Sequence, residues 1–582
     1  MKKISFKKII PILVSIAVLL YACKKNYLDI PAYGALDPST LANKVGVNAL
    51  LIGAYSLLDG EGGNSGGSNG PWATAGSNWV YGSVPGGDAH KGSDPGDQNL
   101  ITPIEQWNAS ASNSYLDQLW QKRYDGVQRS NDVLRTMRLA KDMSAADTLE
   151  AAAEARFLRA FYAFDLRKNF LNVPWIDESV TYTAGNFLVP NDHDIFSNIE
   201  ADFAFAYANL PETQSQIARA NKWAAGAFLA KTYIFEKKWS DAKSLLATII
   251  ANGVTAKGDK YALFPNYRDA FNAHSKNGPE SVFAAQSTVN DGTGGANANT
   301  GDGLNFPYGG QTSCCGFFQP SFSLVNSFKV DENGLPFLDG SFNNTDLKND
   351  YGLSSNDPYT PDNTTPLDPR VDWTAGRRGI PFLDWGLFPG ANWIRNQASA
   401  GPFEPVKHLF LAAEKGTQTD ASGWTAGFTG NNINLIRYAD VLLWAAEAEV
   451  ESGGDLNVAM GYVNQVRARA ANKSGYVQGS VANYQIGLYN SFPSADYART
   501  AIRFERKIEL AMEGHRFYDL TRWGIGKQEL DAYAAHDSKS GYSIMSGVTY
   551  TTGKSEYLPI PQIEIDLSTK AGKSVLKQNP GY

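Results

Sequence analysis

The chain has 582 residues, 43% of them hydrophobic and 19% charged, which excludes a disordered or low-complexity polymer and provides for a substantial core. Its net charge of -7 excludes nucleic acid as a partner, because phosphate binding calls for a basic surface. Aromatic residues make up 12% and glycine contributes 55 positions, a mixture that suits a stacking surface and equally a large loop-rich fold.

The chain opens with a positive stretch, Lys2, Lys3, Lys7 and Lys8, followed by an apolar run from Ile9 to Leu20 broken only by Pro11 and Ser15. That run is short of the roughly 20 apolar residues a membrane-spanning helix needs and has the length of a signal-peptide core. It ends in Leu20-Tyr21-Ala22-Cys23, the pattern of a lipobox. Residues 1–22 are therefore expected to be a signal peptide, with Cys23 the lipid-attachment site. Several acyl chains there would hold the protein firmly, at about 0.8 kcal/mol per buried CH2. Residues 23–38 read as a tether and 39–582 as one domain outside the cytoplasm.

Helical periodicity appears at Thr40–Leu58, Ser114–Ala140, Ala145–Phe170 and Asp194–Leu210. The segment from Gly60 to Gln98 is rich in Gly, Ser, Asn and Asp with Trp72 and Trp79 embedded, and long irregular segments in compact domains are usually functional or mobile. Between Trp223 and Ile250, Leu229, Ala230, Tyr233, Ala242 and Leu246 stand at the spacing of a tetratricopeptide repeat, with Gly226 where the repeat's Trp is expected. A second helix pair fits Asn434–Ala471, with Ala446 and Ala459 at the crossing. Thr500–Trp523 reads as the last strong helix, and Asp531–Tyr582 as irregular. Between the helix pairs, Ala251–Gly430 has little helical period and reads as a long excursion of loops and short strands. The fold class expected is mostly α: a tetratricopeptide-like helical-repeat scaffold with a long irregular insert. The irregular segments, about 60–112 and 251–430, are the ones expected to bind ligand.

Of the 3 cysteines, Cys23 is assigned to lipid. Cys314 and Cys315 are neighbours and cannot make a long-loop staple or a four-ligand zinc site. They are two ordinary thiols or a vicinal disulfide.

With these residues in hand, the chain resembles the SusD/RagB family of outer-membrane nutrient-binding lipoproteins. The likeness begins at Tyr27-Leu28-Asp29-Ile30-Pro31 and continues at Trp120, Tyr124, Asn131 and Leu134. It is dense from Ala153 to Tyr162, with Val173-Pro174 after it, and recurs from Arg437 to Leu443 with Ala446-Glu447-Ala448. Its strongest block is Ile502–Leu510 with Glu513–Leu520 and Arg522-Trp523-Gly524; Tyr557–Pro561 and Gln578–Tyr582 close it. The resemblance implies four tetratricopeptide-like helix pairs and a glycan ligand. It also implies a place on the outer-membrane surface beside a SusC-like TonB-dependent transporter. It implies no enzymatic chemistry and no cofactor. Because the RagB branch is associated with peptide uptake, peptide capture is the alternative, with a glycoside hydrolase and a purely structural helical-repeat adaptor further readings.

The residues themselves agree with a binding protein. There is no G-x-S-x-G, H-E-x-x-H or phosphate-cradling loop. The charged run Arg503–Arg516 looks catalytic but is expected to form a helix whose Arg506, Glu509, Glu513 and Arg516 make an ion network. A glycosidase needs two carboxyls across a cleft; Asp88, Asp94, Asp97, Asp372 and Asp384 lie in aromatic-rich loops but are expected to cap turns or address hydroxyls. A sugar offers C–H faces for aromatic rings and hydroxyls for polar side chains. The candidate ligand-binding residues are Trp79, Asp88, Lys91 and Trp107 in the early loop and Tyr308, Phe318, Trp385 and Trp393 in the insert. The family resemblance implies sugar contacts for an acidic and a basic residue in the region of Asp88 and Lys91. Trp120, Trp223, Trp444 and Trp523 fall within helical patterns and are assigned to packing.

Overall fold

A computed structural model describes residues 38–60, 69–310, 314–570 and 572–582. The expected signal peptide, Cys23 and nearly all of the tether lie outside these residues. Helices α1 (Lys44–Tyr55), α2 (Ser114–Met137), α3 (Ala145–Phe170), α4 (Phe196–Asn209), α5 (Lys222–Glu236) and α6 (Trp239–Asn252) form the first half of the scaffold. Their starts are written locally. Asn43, Asn113 and Asn221 accept a backbone N–H of the first turn, and Ser144 with Asp147 makes a reciprocal capping box. From α2 onward each helix packs against the next, and α6 hands on to α7 (Tyr438–Glu451), which packs against α8 (Leu456–Ala470) and α9 (Ala495–Glu509). Among the described residues, no helix is long and apolar enough to cross a membrane.

The repeat landmarks do what small residues at a crossing do. Ala230, Ala242, Leu246, Ala446 and Ala459 are fully buried. Gly226 explains its own departure from the repeat: a Cβ there would stand 2.9 Å from the Tyr207 ring of α4, so glycine lets α4 and α5 close up.

Three expectations are corrected. The second helix pair begins later than its pattern suggested, because 434–437 belong to strand β4 (Ile433–Arg437), antiparallel to β2 (Ser281–Ala285). The expected helix Thr500–Trp523 is two helices, α9 and α10 (Arg516–Trp523), parted by a turn in which Met512 and Gly514 take positive φ. A Cβ on Gly514 would stand 2.0 Å from the Ser77 carbonyl, so the chain turns where the early loop abuts it. The segment from Asp531 is not wholly irregular, since α11 (Gly526–Ser540) runs into it. Its apolar stripe is thin, Leu530, Tyr533 and Ala534, which left little periodic signal.

The insert is loops, single turns and bridges around a satellite core of Phe306, Phe382, Phe388, Ile394, Ala400, Val406, Leu409 and Phe410. Two devices fasten it to the scaffold. The first is a strand pair: β1 (Ala89–Gly92) lies antiparallel to β3 (Phe317–Pro320), with His90 opposite Gln319, joining the early loop to the insert.

The second is a buried ion network around α9. Arg370 contacts Asp368, Glu505 and Glu509 at 2.6–2.7 Å. Arg437 reaches Glu280, Glu509 and Glu513 at 2.6–2.8 Å. Arg467 binds Glu505, Arg469 binds Glu280 and Glu509, and Lys407 binds Glu513. None of these side chains is more than 4% exposed. The network is real but its partners are distant in sequence. The i, i+3 and i, i+4 pairs expected along one helix are not what forms it, because the helix stops at Glu509. Burial pushes the Glu509 carboxyl up, but Arg469, Arg437 and Arg370 outweigh it and hold it at about 2.

Candidate functional site

The strand pair and the satellite core decide which candidate residues have a surface to offer. Trp79, Asp88, Lys91, Trp107 and Phe318 do not; each is buried, which corrects their assignment as ligand-binding residues. Trp79 donates its indole N–H to the Gly301 carbonyl at 3.0 Å and lies among Phe317 and Phe318. Trp107 donates to the Pro85 carbonyl at 2.9 Å and packs edge-on to Tyr550. The Asp88 carboxylate accepts from the Met512 N–H at 3.1 Å, inside the turn between α9 and α10, and burial raises it to about 6. Lys91 donates its ammonium to the carbonyls of Asp94 and Asp97 at 2.8 and 2.7 Å; desolvation lowers its pKa, against Glu105, Asp97 and Asp94. The covers differ: the β1–β3 pairing brings Phe317 and Phe318 onto Trp79, the turn between α9 and α10 closes on Asp88, and Pro85 with Tyr550 closes on Trp107.

Tyr308, Trp385 and Trp393 keep a surface. Tyr308 is 44% exposed. Trp393 is half-buried, standing edge-on to Phe382 at 5.4 Å and Phe388 at 5.6 Å. Trp385, also half-buried, donates to the Phe410 carbonyl at 3.1 Å and packs on that ring. The satellite core thus serves as the bed on which both indoles rest. Tyr308 and Trp393 are brought together by backbone: Gly309 donates to the Trp393 carbonyl at 3.0 Å, and a Cβ on Gly310 would stand 2.8 Å from the Trp393 ring. Only glycine permits that approach at the positive φ of this position.

Two residues beyond Trp393 is Arg395, which sequence reasoning passed over. Its guanidinium lies 5.1 Å over the Tyr308 ring. It is ion-paired with Asp94, contacts Asp97 at 2.6 Å, and donates to the Ser93 hydroxyl at 2.9 Å. Arg395, Asp94 and Asp97 are each about 30% exposed. The slight burial of Asp94 is outweighed by the N–H groups of Asp97 and Gly96 and by Arg395, so its pKa is lowered. The cluster therefore combines ring faces with a charged, partly wetted rim, which is the surface a sugar ring with its hydroxyls complements. The one available signal was the W-x-R spacing, which carries no mechanism on its own.

The other loop acids are occupied. Asp372 is buried against Arg377 at 2.7 and 2.9 Å, and Asp384 caps the N–H groups of Ala412 and Ala413. Cys314 and Cys315 are paired as a vicinal disulfide and pack against the main core, Cys315 buried and Cys314 half-buried.

Comparisons with known proteins agree with this architecture. The model of the SusD family matches residues 279–582, and a model described as starch-binding, associating with the outer membrane, matches 73–234. SusD-like protein P2 of Formosa agariphila is 24% identical over 85% of this chain and 86% of its own length. The fold is shared with a SusD superfamily protein from Bacteroides vulgatus, at a TM-score of 0.65 and 20% identity, covering 93% of this chain and 99% of that one. It is shared also with surface glycan-binding protein A from Bacteroides thetaiotaomicron, solved in complex with laminarihexaose, at a TM-score of 0.59 and 20% identity over 92% and 98% of the two chains.

Proposed function

The chain belongs to the SusD family, and on that premise we propose that it is a cell-surface glycan-binding lipoprotein. It captures an oligo- or polysaccharide and delivers it to a SusC-like TonB-dependent transporter. The observation that carries the reading is the Tyr308–Trp393–Arg395 cluster, with Asp94 and Asp97 at its edge, on a chain related throughout to glycan-binding proteins. The two rings stack on the C–H faces of a sugar. Arg395, already held over Tyr308, turns its remaining N–H donors to hydroxyls, and the carboxylates accept from them. Trp385 extends the surface along the satellite core.

The chemistry is recognition without bond-breaking. Asp94 and Asp97 face one arginine rather than each other across a cleft, which is not the paired arrangement that glycoside hydrolysis uses. A lipid on Cys23 and a tether of roughly a dozen residues would keep the site close to the transporter while leaving it free to move.

The test is a calorimetric and array screen of the purified protein against β-glucans, starch, xylans, mannans and casein-derived peptides. Binding of one glycan class, weakened roughly tenfold in Trp393→Ala, is the expected result. Capture of peptides and no glycan selects the peptide-uptake alternative and overturns this reading. Release of reducing sugar from any of the glycans overturns the absence of catalysis. Incorporation of a labelled fatty acid, abolished by Cys23→Ala, tests the anchor, and co-purification from outer membranes tests the transporter.

A further inference from the structure

Between the early loop, the helical scaffold and the turn from α9 to α10 lies an interior cavity with about 50 Å3 open to the centres of water-sized molecules. Room of that size takes a halide or an oxyanion of a few heavy atoms, with a water beside it. Its wall carries polar groups that the rest of the chain leaves unused. Trp444 of α7 is 1% exposed, and its indole N–H has no acceptor among the described residues. Asn78, held at a φ of 53° in the early loop, has an unpaired Oδ1, and His515 has an unpaired Nε2. Buried polar groups are as a rule satisfied by protein, by water or by a bound ligand.

A fourth group on the same wall distinguishes water from a ligand. Lys231 of α5 places its ammonium 5.5 Å from the Phe164 ring, 5.7 Å from Phe228 and 5.8 Å from Trp444. Those rings offer a cation their faces but no counter-charge. The carboxylates on the wall are already shared between other cations. Asp165 meets Arg123 and Lys168, and Asp519 meets Arg506 and Arg522. Glu513 belongs to the network around α9. Asp440, behind the wall, faces Arg506 at 3.4 Å and His515 at 3.8 Å. Desolvation and Lys168 therefore outweigh Asp440 and Asp165, and Lys231 is lowered to about 7.

Water can satisfy an indole N–H or an amide oxygen, but it does not neutralise an ammonium in an apolar surround. A small anion does both. It accepts from Lys231 and from the indole N–H, and a water beside it serves Asn78 and His515. We propose that this cavity is a binding site for a small anion, a halide or an oxyanion of formate size, held by the Lys231 ammonium and the Trp444 N–H where the early loop meets the scaffold. The site is separate from the Tyr308–Trp393–Arg395 surface and does not depend on the glycan-binding reading.

The test uses the purified protein at pH 6.5, with bromide and formate as probes. Crystals grown in sodium bromide should show an anomalous bromide peak in the cavity, in contact with the Lys231 ammonium and displaced by formate. In solution, bromide replaces gluconate, which is too large to enter, at constant ionic strength. The exchange should raise the melting temperature of wild type by about 1–2 °C relative to Lys231→Met, a variant that keeps the side chain's bulk and removes its charge. Trp444→Phe should weaken the bromide affinity read from this shift severalfold. A cavity holding waters alone, or a shift as large in Lys231→Met as in wild type, would overturn the proposal. A bromide peak with no shift in wild type marks an adventitious ion only and overturns it equally. If Lys231→Met does not fold, Trp444→Phe takes its place as the reference, and an equal shift in that variant decides against the site.

Discussion

Two arginine–carboxylate clusters in this molecule are built from the same chemical groups and differ in how deeply they are buried. Around α9, Arg370, Arg437 and Arg469 meet Glu505, Glu509 and Glu513 with no side chain more than 4% exposed. At the insert's surface, Arg395 meets Asp94 and Asp97 with each about 30% exposed. In the first, water cannot substitute for a lost partner, so the charges hold one another and fasten insert to scaffold. In the second, water stands ready at every position, so the charges are cheap to rearrange and free to exchange one partner for a hydroxyl of a ligand. Charge pattern alone does not distinguish a buried fastener from a wetted surface cluster; burial does.

The largest effect should come from the buried cluster. Glu509→Gln removes the charge that faces three guanidinium groups and is expected to cost about 3–5 kcal/mol of stability, read by chemical denaturation. A loss under about 1 kcal/mol would show that the arginines find other partners, as they would at a wetted surface. The same carboxylate sets an acid limb. Its folded pKa of about 2 lies below its ordinary 4.5, so its contribution is whole above pH 4.5 and is lost as pH falls towards 2. The denaturation midpoint of wild type should fall steeply over that window and that of Glu509→Gln less so.

Trp79 and Trp393 differ in the same way, one fully buried and one half-buried. Trp79→Ala empties a packed, hydrogen-bonded site and should cost about 3–5 kcal/mol. Trp393→Ala should leave stability within about 1–2 kcal/mol and weaken glycan binding roughly tenfold, the size of one stacking contact. The reverse pattern would return the ligand site to the early loop.

A smaller effect is expected at His536, held between Asp346 at 3.1 Å and Asp537 at 3.0 Å. Burial opposes its charge, but the two carboxylates outweigh it and raise it from 6.5 to about 9. Its contribution is full below pH 6.5 and is lost as pH rises through 9. About 1–3 kcal/mol of stability should disappear across that window in wild type and not in His536→Gln.

The smallest change in stability belongs to the surface cluster: Arg395→Ala should cost less than about 1 kcal/mol. It should nevertheless weaken glycan binding severalfold. A destabilisation as large as that of Glu509→Gln would mean that the two clusters are alike after all.

Much of the scaffold was legible because helix starts and helix crossings are local chemistry. Ser144 with Asp147 announces α3, and Ala230, Ala242 and Leu246 announce the repeat, within a few residues of where they act. The candidate site was legible only in part. Tyr308, Trp385 and Trp393 could be named from aromatic content. Nothing in the run from Trp79 to Lys91 distinguished a ligand loop from one about to be covered, and nothing marked Arg395.

The sequence by itself determined the helical repeats, the family, and the residue types available for binding, because periodicity, caps and motifs are written in neighbouring residues. Only the tertiary structure decided which of those residues keep a surface. The pairing of β1 with β3, between residues more than two hundred positions apart, turns Asp88 and Trp79 inward. The 306–310 segment lies along 393–395 and leaves Tyr308 and Arg395 at the surface. Exposure is a property of what packs on top, and what packs on top comes from elsewhere in the chain.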